Sequence, residues 1–192
     1  MQASAAVLCS EISKVEGDKS VVAHSQAGAV INAILAICPD PDLKKLIYVT
    51  AVSPLSGETA FELLSEKDGE NYFKGVNYNK PISLLEISSP EGFLESFAPQ
   101  ANAEQRVWLS KHAVSEPSTL GSNPLILNQA KFKSLKKYYI FANQDKVISL
   151  PSQQKIAARM DLTESYSIDS GHLPMLTHPK KLASILEKIS AK

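Results

Sequence analysis

The chain has 192 residues, of which 44% are hydrophobic, 21% charged and 7% aromatic, and its formal net charge is +0 at pH 7. This composition predicts a globular protein with an ample apolar core, and it provides no net charge that would attract nucleic acid or an anionic membrane. The apolar run at 29–38 is too short to span a bilayer, and no basic segment followed by an apolar core opens the chain, so we expect no signal peptide and a cytoplasmic location. Cys9 and Cys38 fit no metal-ligand spacing, and we expect free buried thiols rather than a disulfide.

Strands alternate with helices along most of the chain. The strands are predicted at 20–23, 46–52, 137–142 and 163–168. The helices are predicted at 3–15, 26–38, 151–160 and 179–189, and Pro39 and Pro41 break the second of them. The strand at 46–52 is almost continuous in apolar and β-branched residues, which is typical of a strand covered on both faces. This alternation predicts an α/β fold with a mainly parallel sheet flanked by helices.

Residues 54–136 interrupt that alternation with irregular sequence that contains many prolines. The segment holds most of the aromatic residues of the chain and two short predicted helices, at 59–66 and 102–112. A segment of this length between two core strands is typical of a separate domain or of a cap over a site. We therefore predict a single domain over 1–192 with a lid at 54–136 that lines an apolar pocket. Packing of any one aromatic ring against the core would explain that ring equally well.

Residues 20–33 run from a β-branched strand through a tight turn of small residues into a helix rich in alanine and isoleucine. A serine at such a turn, here Ser25, is typical of a nucleophile elbow, in which a strained backbone pushes the hydroxyl clear of the sheet. The usual pattern is G-x-S-x-G, whereas this chain has Ala23 and Ala27 at the flanks and Gly28 one step later. Ser25 could instead be an ordinary helix N-cap.

Two further polar residues follow later predicted strands, namely Asp145 and His172. Because the carboxyl ends of parallel strands meet at one edge of a sheet, this is where ligands bind in such folds. Nucleophilic catalysis by Ser25 requires an imidazole to remove the hydroxyl proton and a buried carboxylate to fix the tautomer of that imidazole. Asp169, closer to His172 in sequence, is a rival acid, and Asp145 could simply close a polar turn.

The stretches 23–28, 143–145 with Pro151, and 170–176 together resemble the α/β-hydrolase superfamily. They are most similar to the branch that contains plant methylesterases and hydroxynitrile lyases, and 104–117 resembles the middle of those proteins. The resemblance covers nearly the whole chain. It implies Ser25 as nucleophile, His172 as general base and Asp145 as orienting acid, acting on a small carboxylic ester. The lyases carry a lysine after the histidine, where this chain has Leu173, so the resemblance favours an esterase.

The resemblance also implies a reduced fold. Members of the family begin with several strands, and their first stretch contains a His-Gly loop that donates a backbone N–H to the oxyanion hole. Only one predicted helix precedes Ser20, so the N–H of Gln26 is the one oxyanion donor that we predict. The strand before Ser25, which is central in relatives, is expected at a sheet edge, where a second copy of the chain could cover it.

We therefore predict a serine hydrolase for small carboxylic esters that works through an acyl-enzyme on Ser25, with no metal and no organic cofactor. We expect His24, Trp108 and Leu173 to contact the substrate. Because the oxyanion loop is missing, a catalytically impaired hydrolase-like protein that binds a ligand or a partner is an alternative. A fragment that functions only when it is complemented is a third possibility.

Overall fold

The strands of the fold, in chain order, are β1 (Lys19–Ser25), β2 (Leu43–Ala51), β3 (Val76–Asn79), β4 (Leu84–Ile87), β5 (Glu116–Pro117), β6 (Lys136–Ala142) and β7 (Glu164–Ile168). The helices are α1 (Gln2–Ile12), α2 (Ala27–Ile37), α3 (Glu66–Tyr72), α4 (Pro90–Phe97), α5 (Ala103–His112), α6 (Thr119–Ser122), α7 (Gln129–Ser134), α8 (Leu150–Ala157), α9 (Pro174–Thr177) and α10 (Pro179–Ser190). The computed structural model describes residues 1–40 and 42–192, so Pro41, one of the two predicted helix breakers, lies outside the described residues.

The described residues divide into two compact units. The first unit comprises Met1–Leu63, Leu120–Phe141 and Gln153–Tyr166. The second comprises Leu64–Thr119, Ala142–Ser152 and Ser167–Lys192. The segment 54–136 thus contributes residues to both units, and its role as a lid within a single domain stays a prediction.

A four-stranded sheet with the order β1-β2-β6-β7 forms the core of the first unit, and the last residues of β6 and β7 belong to the second unit. β2 pairs in parallel with both β1 and β6. All four predicted strands are present, and the predicted α/β fold with a mainly parallel sheet is confirmed. Among the described strands β1 lies at the sheet edge, as predicted. Coverage of that edge by a second copy stays a prediction.

β2 and α2 form the centre of the first unit. Six successive residues of β2, at 46–51, are at most 1% exposed, which confirms the prediction of a strand covered on both faces. α2 carries apolar side chains around most of its circumference, and seven of its residues are buried. A helix of this kind has no polar face to present to solvent. β2 and α2 are therefore interior elements of this unit.

The second unit contains a three-stranded antiparallel sheet in which β4 pairs with both β3 and β5. The sequence did not predict this sheet, because its strands are only two to four residues long and β5 contains a proline. The same unit also contains a small apolar cluster. The cluster consists of the buried residues Leu94, Ala98, Ala101 and Leu109, against which Phe93, Leu173 and Leu176 pack.

The structure joins Cys9 and Cys38 in a disulfide with their Cα atoms 5.5 Å apart, so the prediction of two free thiols is wrong. The contact forms because α1 packs on α2, which brings Cys9 to the residue that follows α2. Because disulfides are rare in the cytoplasm, the bond between Cys9 and Cys38 does not support the predicted cytoplasmic location. That location stays a prediction. Of the helices in the described ranges, none has both the length and the apolar character that crossing a membrane requires.

Candidate active site

The elbow places Ser25 at the last position of β1, immediately before α2. Its backbone φ is +56°, in the left-handed region that residues other than glycine rarely adopt. Such strain persists only where the surrounding structure enforces it, and it is concentrated at functional sites. The N-cap of α2 is Gln26 rather than Ser25. The serine is therefore not used as an ordinary helix cap.

Close packing of α2 against the end of β2 explains why the turn needs small residues. A Cβ atom added to Gly28 would overlap the carbonyl oxygen of Val52 and lie 3.2 Å from Cβ of Ala51. The N–H of Val52 donates a 3.1 Å hydrogen bond to the carbonyl oxygen of Ser25. We expected the size restriction at the two alanine flanks, and the structure shows a close contact at Gly28.

His172 and Asp145 form a buried pair in the second unit, with 2.7 Å between Nδ1 of the imidazole and Oδ2 of the carboxylate. Their exposed fractions are only 1% and 5%. Oδ1 of Asp145 accepts hydrogen bonds from the N–H groups of Val147 (2.7 Å) and Ile148 (3.0 Å). Because an ionised carboxylate only accepts hydrogen bonds, Nδ1 carries the proton of the neutral ring and Nε2 holds its lone pair. Asp145 therefore closes a polar turn with one carboxylate oxygen and accepts a hydrogen bond from the imidazole with the other.

Asp169, the rival acid, has a different partner. It is exposed, and its carboxylate accepts a 2.7 Å hydrogen bond from the side-chain amide of Gln144. Asp145, the carboxylate that the sequence favours over its rival, is thus the one that the structure pairs with His172.

Residues of the predicted lid segment surround the histidine loop. The ring of Phe97 meets the imidazole of His172 edge-on, with 5.4 Å between their centroids. Oε1 of Gln100 accepts a 2.7 Å hydrogen bond from the N–H of Gly171. Neither residue is among the predicted site residues, because about 70 positions separate them from the loop. Only the abundance of aromatics in the predicted lid, Phe97 among them, pointed to this segment.

A second buried carboxylate holds the loop that carries Asp145. Asp68 of α3 accepts hydrogen bonds from the N–H of Ser149 (3.0 Å) and from the hydroxyl of Ser152, and it forms a capping box with Ser65. Burial acts to raise the pKa of Asp68, but the hydrogen bonds outweigh burial and hold that pKa below its ordinary value. The three successive N–H groups at 147, 148 and 149 thus donate hydrogen bonds to the carboxylates of Asp145 and Asp68.

We expect Asp68→Asn to lower the free energy of unfolding at pH 7 by about 2 kcal/mol, because an amide nitrogen cannot accept the hydrogen bonds that the carboxylate accepts. The pKa of Asp68 is lowered by folding, so the stability it contributes is present above its unfolded pKa of about 3.9 and is lost as pH falls through the folded value. Urea unfolding from pH 7 to pH 3 should show the gap between wild type and variant closing below pH ~4.

Glu66→Gln is the matched control for this experiment, since Glu66 is an exposed acid in the first turn of the same helix. Its loss should cost only a few tenths of a kcal/mol, roughly the value of a favourable charge near a helix N-terminus. The stabilising role of the ionised Asp68 would be contradicted if the difference in unfolding free energy between wild type and Asp68→Asn persisted at pH 3. An equal loss of unfolding free energy in Glu66→Gln would contradict it as well.

The structure places the other predicted site residues as follows. In the first unit, His24 is half-buried in β1 opposite Val49, and the side-chain nitrogen of Gln26 would lie 2.7 Å from a Cβ added to Gly121. In the second unit, Leu173 packs on the apolar cluster, and Trp108 is 52% exposed and stacks on His112 with 4.5 Å between centroids. In the part of the chain that the structure describes, no group of three or more His, Cys, Asp or Glu side chains could hold a metal ion.

A mainly parallel sheet, a serine with a left-handed backbone between a strand and a helix, and a buried histidine–aspartate pair are features typical of the hydrolase class of α/β proteins. The chain matches the Alpha/beta hydrolase family over residues 2–185 and belongs to that family. The resemblance noted from its sequence motifs is thereby confirmed.

Individual relatives are distant. The chain is 23% identical over 186 residues to Putative methylesterase 11, chloroplastic, of Arabidopsis thaliana, with 91% of this chain and 47% of that protein covered. It thus spans about half the length of this curated relative. Similar solved structures include a pyrethroid hydrolase from Sphingobium faniae JZ-2 (TM-score 0.82, 20% identity, 96% of this chain and 75% of that one) and polyneuridine aldehyde esterase (TM-score 0.81, 18% identity, 97% and 78%). These likenesses show the shared fold.

Proposed function

We propose that the protein is a serine hydrolase for small carboxylic esters, with Ser25 as nucleophile, His172 as general base and Asp145 as the acid that orients it. The observation that carries the proposal is the buried His172–Asp145 pair, whose 2.7 Å contact at Nδ1 makes Nε2 the basic nitrogen. The left-handed backbone of Ser25 supports the choice of nucleophile. Two of the similar proteins are named as a methylesterase and an esterase, which supports an ester substrate.

In this mechanism Nε2 of His172 takes the hydroxyl proton of Ser25 as its oxygen attacks the carbonyl carbon of the ester. The tetrahedral intermediate collapses, the bond to the alcohol oxygen breaks, and the alcohol leaves with the proton from His172. Water then loses a proton to the same nitrogen and attacks the acyl-enzyme. Collapse of the second intermediate releases the carboxylic acid and returns the proton to Ser25.

The N–H of Gln26 is our proposed donor to the oxyanion. Gln26 is the N-cap of α2, which is 11 residues long, and the first N–H groups of a helix point away from its body at the positive end of its dipole. Donors fixed in this way stabilise the charge that develops in the transition state. A single donor of this kind typically contributes about 10²- to 10³-fold in turnover.

We further propose that the substrate has a hydrophobic acyl or alcohol part, contacted by His24, Trp108 and Leu173. Packing of Leu173 on the apolar cluster, directly after His172, supports an apolar wall at this position. The mechanism needs neither a metal nor an organic cofactor, because proton transfer and nucleophilic attack are supplied by side chains.

A fluorophosphonate probe tests the proposal directly, since it phosphonylates only an activated serine. We expect the wild-type protein to be labelled on Ser25, as located by peptide mass spectrometry, and Ser25→Ala to lose the label. Ser110→Ala, which changes an exposed serine of α5, should be labelled like wild type. Absence of label on folded wild-type protein would overturn the proposal and favour a hydrolase-like protein that binds ligands without turnover.

A further inference from the structure

The segment at 51–54, which follows the body of β2, lies against the elbow. Ala51 stands opposite Ser25 in the β1–β2 register, and the N–H of Val52 donates to the carbonyl oxygen of Ser25 over 3.1 Å. The carbonyl group of Val52 occupies the space that Gly28 leaves on the face of α2. The segment therefore contacts both the backbone of Ser25 and the first turn of α2, so its position determines where each of them lies.

β2 loses its backbone partner on β6 just before it reaches the segment. Their register extends to Val49 and Ile140, and Thr50 then adopts a φ of +36°. At the next residue, Ala51, a side chain of β6 supplies the hydrogen bonds. The hydroxyl of Tyr139 accepts a 3.1 Å hydrogen bond from the N–H of Ala51 and donates a 2.8 Å hydrogen bond to the carbonyl oxygen of Ala51. Tyr139 and Ala51 are both completely buried, so water has no access with which to replace that hydroxyl.

The far end of the segment is held from α2. The side-chain nitrogen of Asn32 donates to the hydroxyl of Ser53 and to the carbonyl oxygen of Pro54, each over 3.0 Å. The hydroxyl of Tyr48 donates in turn to the side-chain oxygen of Asn32, which fixes the orientation of the amide. Residues 51–54 are thus fastened at both ends by buried side chains.

We propose that Tyr139 is a positioning residue for the nucleophile. Its hydroxyl holds Ala51, and through Ala51 and Val52 it keeps Ser25 in the left-handed conformation of the elbow. Removal of the hydroxyl leaves two buried backbone groups of Ala51 without this partner, and the segment shifts to satisfy them. The inference rests on the proposed role of Ser25, and a displacement of about 1 Å at a reacting group can cost about 100-fold in rate.

Tyr139→Phe tests this inference. We expect the rate of fluorophosphonate labelling at Ser25 to fall about 10- to 100-fold, and kcat for p-nitrophenyl acetate to fall similarly with little change in KM, because alignment rather than ground-state binding is lost. Tyr138→Phe is the matched control, since Tyr138 is equally buried and its side chain points to the opposite face of the same strand. It should be labelled at the wild-type rate, and both variants are compared well below their unfolding transitions.

Labelling of Tyr139→Phe at the wild-type rate, or equal slowing by Tyr138→Phe, overturns this inference and leaves the proposed function in place. Absence of label on the wild-type protein overturns the proposed function itself. If Tyr139→Phe does not fold, the same measurement is made on Ser53→Ala, which removes a single acceptor at the far end of the segment. Slower labelling of Ser53→Ala supports the positioning role, and an unchanged rate contradicts it.

Discussion

Asp145→Asn should lower kcat for ester hydrolysis about 10⁴-fold while the protein stays folded. In the wild type, the N–H groups of Val147 and Ile148 both donate to Oδ1 of Asp145. In the variant they favour the orientation in which the amide oxygen of the asparagine, rather than its nitrogen, takes the place of Oδ1. The amide nitrogen is then turned toward Nδ1 of His172 and donates to it. Nδ1 becomes the acceptor, Nε2 becomes protonated, and the imidazole can no longer remove a proton from a nucleophile.

Asp169→Asn provides the matched control for this prediction. It makes the same change three residues before His172, and the asparagine oxygen can still accept from Gln144. We expect its kcat to stay near that of wild type in steady-state assays with p-nitrophenyl acetate. If Asp169→Asn were the inactive variant and Asp145→Asn the active one, the assignment of the orienting acid would be wrong.

Gly28→Ala should destabilise the protein by about 3 kcal/mol or more, the upper range for overpacking a buried site. The added methyl group would meet the carbonyl group of Val52 and Cβ of Ala51, and neither of these atoms is the flexible end of a long side chain. Removing the overlap between the added methyl group and the carbonyl group of Val52 requires α2 to move away from the end of β2. The measurement is the midpoint of urea unfolding at constant pH, analysed with the m-value.

Gly69→Ala is the control for Gly28→Ala. Gly69 lies within α3, and a Cβ atom added there would have no heavy atom within 4 Å. We expect this variant to be more stable than wild type by about 0.5–1 kcal/mol, the usual preference for alanine over glycine in a helix. A Gly28→Ala protein as stable as wild type would show that the elbow relaxes readily, contrary to the packing described.

The sequence pattern predicted the sheet and the His172–Asp145 pair. Both predictions depend on features that can be read along the chain, namely apolar runs and the polar residues that follow them. The apolar run at 46–52 and the positions of Asp145 and His172 after later strands are visible in the chain itself. The sequence favoured Asp145 and kept Asp169 only as a rival, because nearness in sequence says little about which carboxylate a fold brings to an imidazole. The second sheet was missed because strands of two to four residues have too little periodicity to be recognised.

Other features depend on contacts between distant parts of the chain. The hydroxyl of Tyr139 reaches Ala51 across 88 positions, and Asp68 reaches Ser149 across 81. Both residue types are common, and their value lies in which backbone groups the fold presents to them. The same holds for Cys9 and Cys38, which only the packing of α1 on α2 brings together.

The disulfide has a topological consequence for the elbow. The covalent ring that Cys9 and Cys38 close spans 29 positions and contains all of β1, the turn at Ser25 and all of α2. A single break of the backbone anywhere inside this ring leaves one covalent molecule rather than two fragments. The strand that ends in the serine and the helix that follows it therefore remain tethered to each other and to the rest of the chain even after such a cut.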